Sequence, residues 1–118
     1  MKTIWIEMAA RDIDRANQFY ATVFGHEPPE VMRDAGRAII VIPGEPIVSL
    51  NETPGFEPNG DGTLPYFEAG RPISAALDRI VAAGGAVTEH ITERPGYGFF
   101  AIVTDTEGNH FYVHSADR

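Results

Sequence analysis

The chain has no cysteine among its 118 residues. Disulfide bonds and thiolate metal sites are therefore excluded. Basic residues are also few, since 9 Lys and Arg stand against 17 Asp and Glu, which gives a net charge of −8. Nucleic acids and anionic membranes are bound through clustered Lys and Arg, so neither is an expected partner.

Long apolar runs are missing as well. No stretch approaches the roughly 18 apolar residues of a transmembrane helix, and the N-terminal segment leads straight into a predicted strand. We therefore expect neither a signal peptide nor a membrane span, and we expect a cytoplasmic location. At this length the chain is expected to form a single domain with a sizeable core.

A near-repeat at an offset of 60 residues divides the chain into two halves. Each half is predicted to form a strand, a helix and three further strands, which predicts two modules of the type βαβββ. We expect module 1 at about residues 1–52, a linker rich in Pro and Gly at 53–62, and module 2 at about 63–118. The identical residues in the aligned segments are Thr3 and Thr63, Ala9 and Ala69, Arg11 and Arg71, and Ile13 and Ile73.

Two amphipathic helices are predicted, one in each module. The first begins after the capping residue Asp12 and ends at Gly25, and the second begins near Pro72 and ends at Gly84 and Gly85. Two helices cannot cover both faces of eight strands. We therefore predict an α+β fold in which a mixed eight-stranded sheet curls into a cup, with the helices outside and a concave interior.

Four segments resemble the vicinal oxygen chelate superfamily, which includes glyoxalase I, bleomycin resistance proteins and extradiol dioxygenases. They are the opening WIEMAARDIDRANQFYATVFG, the mid-chain DGTLPYFEAG, the helix end AAGG and the closing YGFFAIVTDTEGNHFYVHS. The resemblance is strongest to bacterial glyoxalase-like proteins and spans nearly the whole chain. It implies a ligand pocket in the cup and a homodimer. It does not specify an activity, because such folds host many functions.

The resemblance also implies a divalent metal bound by residues at positions 5, near 49, 65 and 112. This chain has Trp5, Ser49, Pro65 and Tyr112 there. Trp and Pro are not metal ligands, and Ser is rarely one. We therefore predict that the metal site is lost and that no cofactor is bound. A displaced divalent metal held by Glu7 with a histidine of the last strand remains the alternative.

Alternation along the strands predicts which side chains face the cup. Residues 5 and 7 are expected to face the cup. The odd-numbered residues of the fourth and fifth strands and the even-numbered residues of the eighth strand are expected to face it too. The predicted ligand-binding residues are Trp5, Glu7, Ser49, Asn51, Phe67, His110, Tyr112 and His114.

The function that this pattern favours is the binding of a small organic molecule in the cup without metal. The alternative is a glyoxalase-like lyase or isomerase, or a dioxygenase-type enzyme, using a displaced metal or Glu7 as general base. Glu7 would instead be structural if a neighbouring Tyr, His or Arg side chain bonded it. A third alternative is an interaction protein whose cup is filled by Trp5, Phe67 and Tyr112. The sequence does not name the ligand.

Overall fold

The computed structural model describes all 118 residues. The chain forms eight strands and two helices in the order βαβββ twice, which confirms the α+β class and the two-module plan. The elements are β1 (Trp5–Ala9), α1 (Ile13–Phe24), β2 (Met32–Asp34), β3 (Arg37–Ile42), β4 (Ile47–Glu52), β5 (Tyr66–Glu68), α2 (Ile73–Ala82), β6 (Ala86–Arg94), β7 (Gly98–Thr104) and β8 (His110–Ser115).

The eight strands form two mixed sheets of four strands each, built on the same plan. Sheet 1 has the order β1-β4-β3-β2, and sheet 2 has the order β5-β8-β7-β6. In each sheet the first strand of the module runs parallel to the last, and the other neighbours are antiparallel. The hydrogen-bonded ladder is therefore divided at the module boundary, and the strands do not close into one continuous sheet.

Both helices begin and end where the local signals predict. The Asp12 side chain accepts a hydrogen bond from the Arg15 amide at 3.1 Å, and Gly25 adopts a left-handed conformation with φ of 72°. The helix α2 follows Pro72, and its exit includes Gly84 with φ of 100°. The helices start 60 residues apart. Neither of them is long and apolar enough to cross a membrane.

One hydrophobic core joins the two modules. Tyr20 and Phe24 of α1 pack against Phe67 of β5 and Phe111 of β8, although α1 belongs to the first module. Ring centroids are 5.2 Å apart for Phe67 and Phe111, and 5.6 Å apart for Phe24 and Phe67. Each sheet thus turns one face toward this core. We call the opposite face of each sheet its open face.

The prediction that Phe67 faces the cup is wrong. Phe67 lies on the core side, and Tyr66 takes the open face beside its register partner Tyr112. The two faces differ although the spacing is the same, since Glu7 and Phe67 each lie six residues before the first residue of their helix. The path from strand to helix is what differs, because β1 continues to Ala9 whereas β5 ends at Glu68, one position earlier in the repeat. Pro65 also lies outside β5 and is not the counterpart of Trp5 in its sheet.

Candidate functional site

The open face of sheet 1 carries four of the predicted site residues as two hydrogen-bonded pairs. The indole N–H of Trp5 donates to the Ser49 hydroxyl at 2.9 Å, and the Asn51 side-chain amide donates to the Glu7 carboxylate. Ser49 and Asn51 are buried, whereas the Trp5 side chain is half exposed. The structure therefore brings these residues together, and the partner of Glu7 is an amide rather than a Tyr, His or Arg.

The open face of sheet 2 is mostly aromatic. The rings of Tyr66 and Tyr112 stack 4.2 Å apart and nearly parallel, and Phe100 meets Tyr66 edge-on at 5.9 Å. The guanidinium carbon of Arg94 lies 4.4 Å from the Phe100 ring centroid, and the His114 ring lies 4.9 Å from it. We call these five residues the aromatic face.

Three members of the aromatic face were missed from the sequence: Tyr66, Phe100 and Arg94. Tyr66 was missed through the parity error in β5. Phe100 could have been found, because it is the register partner of His114 on the neighbouring strand. Arg94 was missed because it stands at the very end of β6, where it pairs with Gly98.

His114 is held between two hydrogen-bond acceptors. Its Nε2 lies 2.7 Å from the Tyr97 carbonyl oxygen, and its Nδ1 bonds the Glu68 carboxylate. A carbonyl and a carboxylate only accept, so both ring nitrogens donate when His114 is protonated. The Tyr97 carbonyl and then Glu68 raise the pKa of His114, although burial opposes them. The structure therefore favours the charged imidazolium.

We expect Glu68→Gln to lower the pKa of His114, because the replacement removes the charged acceptor of Nδ1. A raised folded-state pKa stabilises the fold below the ordinary histidine pKa, and the contribution is lost as pH rises through the folded value. NMR titration of the His114 ring protons measures this directly. Glu89→Gln, an exposed change on β6, serves as the control. An unchanged titration in Glu68→Gln would show that the carboxylate does not act on this ring.

His110 lies apart from the aromatic face, where the two modules meet. It lines a cavity of about 160 Å³ together with Glu7, Asp61 and Pro65. Gly60 of the linker lies against its imidazole, since an added Cβ would stand 2.8 Å from a ring carbon. The strands that carry Glu7 and His110 therefore do approach a common space.

The residues present do not fit the metal that the resemblance implies. No three His, Asp or Glu side chains come close enough together to hold an ion. Trp5 and Ser49 bond each other, and Tyr66 stacks on Tyr112. An indole, an alcohol and two stacked phenols lack the imidazole and carboxylate donors that divalent metals use in proteins.

Phe67 lines a separate cleft that sequence reasoning did not anticipate. The cleft lies between α1 and the two sheets and has a volume of about 390 Å³. Its walls are mainly apolar, with Phe24, Val48 and Phe67 among them, and its polar groups are those of His26, Glu68 and Tyr20. A role for Phe67 in ligand binding stays a prediction, but its place would be this cleft.

Two buried carboxylates connect the turn between β7 and β8 to the first module. Asp105 accepts four hydrogen bonds, including one from the Tyr20 hydroxyl at 2.7 Å. Burial and then Asp105 raise the pKa of Tyr20 well above its ordinary value, so the phenol remains a donor. Asn109, in the same turn, also donates to the Ala9 carbonyl at 2.6 Å. Asp105 therefore has a structural role.

Glu107 is completely buried at the start of α1 and accepts five hydrogen bonds. The donors are the amides of Arg11 and Asp12, two nitrogens of Arg15 and the hydroxyl of Thr106. Burial acts to raise the pKa of Glu107, but these donors, led by Arg15, outweigh it and the pKa is lowered. A carboxylate at a helix N-terminus also stabilises the helix dipole. The sequence analysis did not single out Glu107.

Two βαβββ modules that share one core, each with an open sheet face, define a paired-module α+β protein. The chain belongs to the glyoxalase-like domain family, whose family model, described as Glyoxalase-like domain, matches residues 5–114. It is thereby a member of the vicinal oxygen chelate superfamily. A search of curated protein sequences finds no match to this chain.

Solved structures support the same fold. A glyoxalase-related enzyme from Fulvimarina pelagi has a TM-score of 0.72 at 17% identity, over 97% of this chain and 87% of the other. A glyoxalase/bleomycin resistance protein/dioxygenase family enzyme from Burkholderia phytofirmans PsJN has a TM-score of 0.69 at 20% identity, over 96% and 97%. Glyoxalase I from Zea mays has a TM-score of 0.73 at 18% identity, and the match covers 99% of this chain but 45% of the maize protein.

Proposed function

We propose that this protein binds a small organic molecule on the open faces of its sheets without a resident metal. The observation that carries the proposal is the exposure of Trp5 and Tyr66, which are 48% and 50% exposed although each lies within a strand. Small-molecule sites combine aromatic surface with a few oriented polar groups. Both open faces have this composition, with the Ser49 hydroxyl beside Trp5 and Arg94 beside Tyr66.

The protein's single Trp offers a direct test of this proposal. Trp5 gives one indole N–H signal in an amide-proton NMR spectrum, and Tyr66 contributes ring-proton signals. Protein treated with EDTA is titrated with benzoate, benzamide, indole and citrate. We expect at least one of these probes to shift the indole or Tyr66 signals, and Tyr66→Ala to weaken the effect. Tyr97→Ala, an exposed tyrosine 76% accessible to solvent, is the matched control.

Two results would contradict the proposal. The first is that no probe shifts either set of signals in the wild-type protein. The second is that shifts appear only after Zn²⁺, Mn²⁺, Ni²⁺ or Fe²⁺ is added, because binding would then require a metal.

The glyoxalase-like enzyme stays the second candidate because Glu7 and His110 line one cavity. Its chemistry would use Glu7 as general base or a displaced metal, and Asn51 already occupies one Glu7 oxygen. Elemental mass spectrometry of untagged protein, with Glu7→Gln and His110→Ala as variants, decides the metal question. Stoichiometric metal that both variants lose would favour the metal-dependent enzyme, and metal-free protein would leave Glu7 as general base as the enzyme's only form.

The assembly and location belong to the same proposal. A homodimer is what the resemblance implies, and the exposed apolar side chains of Ile4 and Trp5 at the start of β1 give a second copy a surface to cover. Light scattering at several protein concentrations tests this, and a monomer throughout would contradict it. The cytoplasmic location stays a prediction from the sequence.

A further inference from the structure

Arg94 is a cation without an acidic partner. None of the five ion pairs of the protein includes it, although the chain carries 17 acidic residues. Its polar neighbours are the hydroxyls of Tyr66 and then Tyr112, which raise the pKa of Arg94 further. Neutral phenols do not compensate the charge of a guanidinium, so Arg94 stays cationic and available to an anion.

The acidic residue nearest to the aromatic face is already paired. Glu68 lies on the same face as Tyr66, but its carboxylate already bonds His114. Arg94 therefore adds a positive charge without an ion-pair partner to the aromatic face of a protein whose net charge is −8. Such a local charge acts over roughly 10 Å at ordinary ionic strength, which is the scale of a small ligand.

Arg94 is exposed, and its five N–H donors exceed what the two neighbouring hydroxyls can accept, so donors remain for an anion. The guanidinium lies over Phe100 at 4.4 Å and within 5.4 Å of the Tyr112 ring centroid. Stacking uses the flat side of the group and leaves its edge, with N–H donors spaced to fit a carboxylate. The Tyr66 and Tyr112 hydroxyls can each donate one further hydrogen bond. The half-exposed Tyr66 ring provides a surface for a planar group.

We propose that the aromatic face selects small planar aromatic carboxylates, with Arg94 as the residue that sets this selectivity. The proposal rests on the small-molecule-binding function proposed above and narrows its ligand class. Arg94 binds the carboxylate, and the aromatic surface next to it accepts the ring. A neutral analogue of the same shape lacks the interaction with Arg94, and a compact anion such as phosphate lacks the ring.

Isothermal titration calorimetry with benzoate, benzamide and inorganic phosphate tests the selectivity. We expect wild-type protein to bind benzoate more tightly than either of the others. Arg94→Gln should weaken benzoate binding by at least about tenfold, because a hydrogen-bonded charge pair is lost, and should leave benzamide binding unchanged. Arg94→Lys keeps the charge but not the planar fork and should recover part of the affinity. Arg33→Gln, at an exposed ion pair in sheet 1, is the matched control.

The outcomes separate this proposal from the one on which it rests. Equal binding of benzoate and benzamide, or an Arg94→Gln variant that binds benzoate as wild type does, would overturn the selectivity and leave small-molecule binding intact. Phosphate binding as tightly as benzoate would also overturn it, because the ring would then contribute nothing. If no aromatic probe binds, and a second copy of the chain covers the aromatic face at the concentration used, both the selectivity and the small-molecule-binding function would be overturned.

Discussion

Replacing Glu107 with Gln is expected to lower the free energy of unfolding by at least about 3 kcal/mol. All five groups that contact the carboxylate are positioned as donors. A glutamine must place its own N–H₂ against some of them, so at least two bonds to a charged acceptor are lost and donors face donors. The backbone amides of Arg11 and Asp12 cannot turn away, because they lie at the N-cap of α1 and just before it.

Urea unfolding at neutral pH, followed by circular dichroism, measures this change. The matched control is Glu57→Gln, because Glu57 makes an exposed ion pair with Arg11 at 3.5 Å. Exposed pairs contribute little, so the control should change stability by less than about 1 kcal/mol. Similar losses in the two variants would contradict the role assigned to Glu107.

The same residue predicts a dependence of stability on pH. The pKa of Glu107 is lowered in the folded state, so its ionised form stabilises the protein above the ordinary carboxyl pKa. That contribution is lost as pH falls through the folded value. The wild-type protein should therefore lose more stability on acidification than Glu107→Gln. If the free energy of unfolding fell equally in the wild type and in Glu107→Gln as the pH was lowered, this mechanism would be contradicted.

Replacing Phe111 with Ala is expected to cost about 3–5 kcal/mol, the range typical of a buried phenylalanine. Phe111 has no exposed surface and contacts Tyr20, Phe24 and Phe67. Two of these rings belong to α1 of module 1, whereas Phe111 belongs to module 2. The cavity would therefore open where the modules share their core.

The unfolding experiment for Phe111→Ala has two readouts. Trp5 fluorescence reports on module 1, and circular dichroism reports on the whole chain. Both transitions should move together, because the lost contacts are common to both modules. Phe111→Leu keeps most of the volume and should cost less than about 1.5 kcal/mol. A Trp5 transition that stays in place while the circular dichroism transition moves would show that the modules unfold separately.

The helices were predictable because their signals are local. The apolar stripe, the Asp12 cap and the glycines after each helix are all read within a few residues of one another, and α1 and α2 lie where these signals place them. The open face of sheet 1 was predictable for the same reason. Alternation along β1 and β4 is regular, and it brings Trp5 to Ser49 and Glu7 to Asn51.

The residues that were missed from the sequence depend on geometry that no local pattern encodes. The chain leaves β5 one repeat position earlier than it leaves β1, and Tyr66 rather than Phe67 lies on the open face. Arg94 joins the aromatic face only because β6 runs past its bulges to the end of the sheet. Asp105 and Glu107 were not recognised, since the donors from module 1 that bond them lie 85 to 96 positions away along the chain.

The position of Glu107 bears on the order in which the protein can fold. The helix α1 begins at Ile13, but the carboxylate that binds the amides just before it lies at least 95 positions later in the chain. Until Glu107 has been synthesised, those N–H groups lack their acceptor and the apolar stripe of α1 lacks its packing partners from module 2. A chain cut just before Glu107 is therefore expected to lack this anchor as completely as a chain cut after module 1.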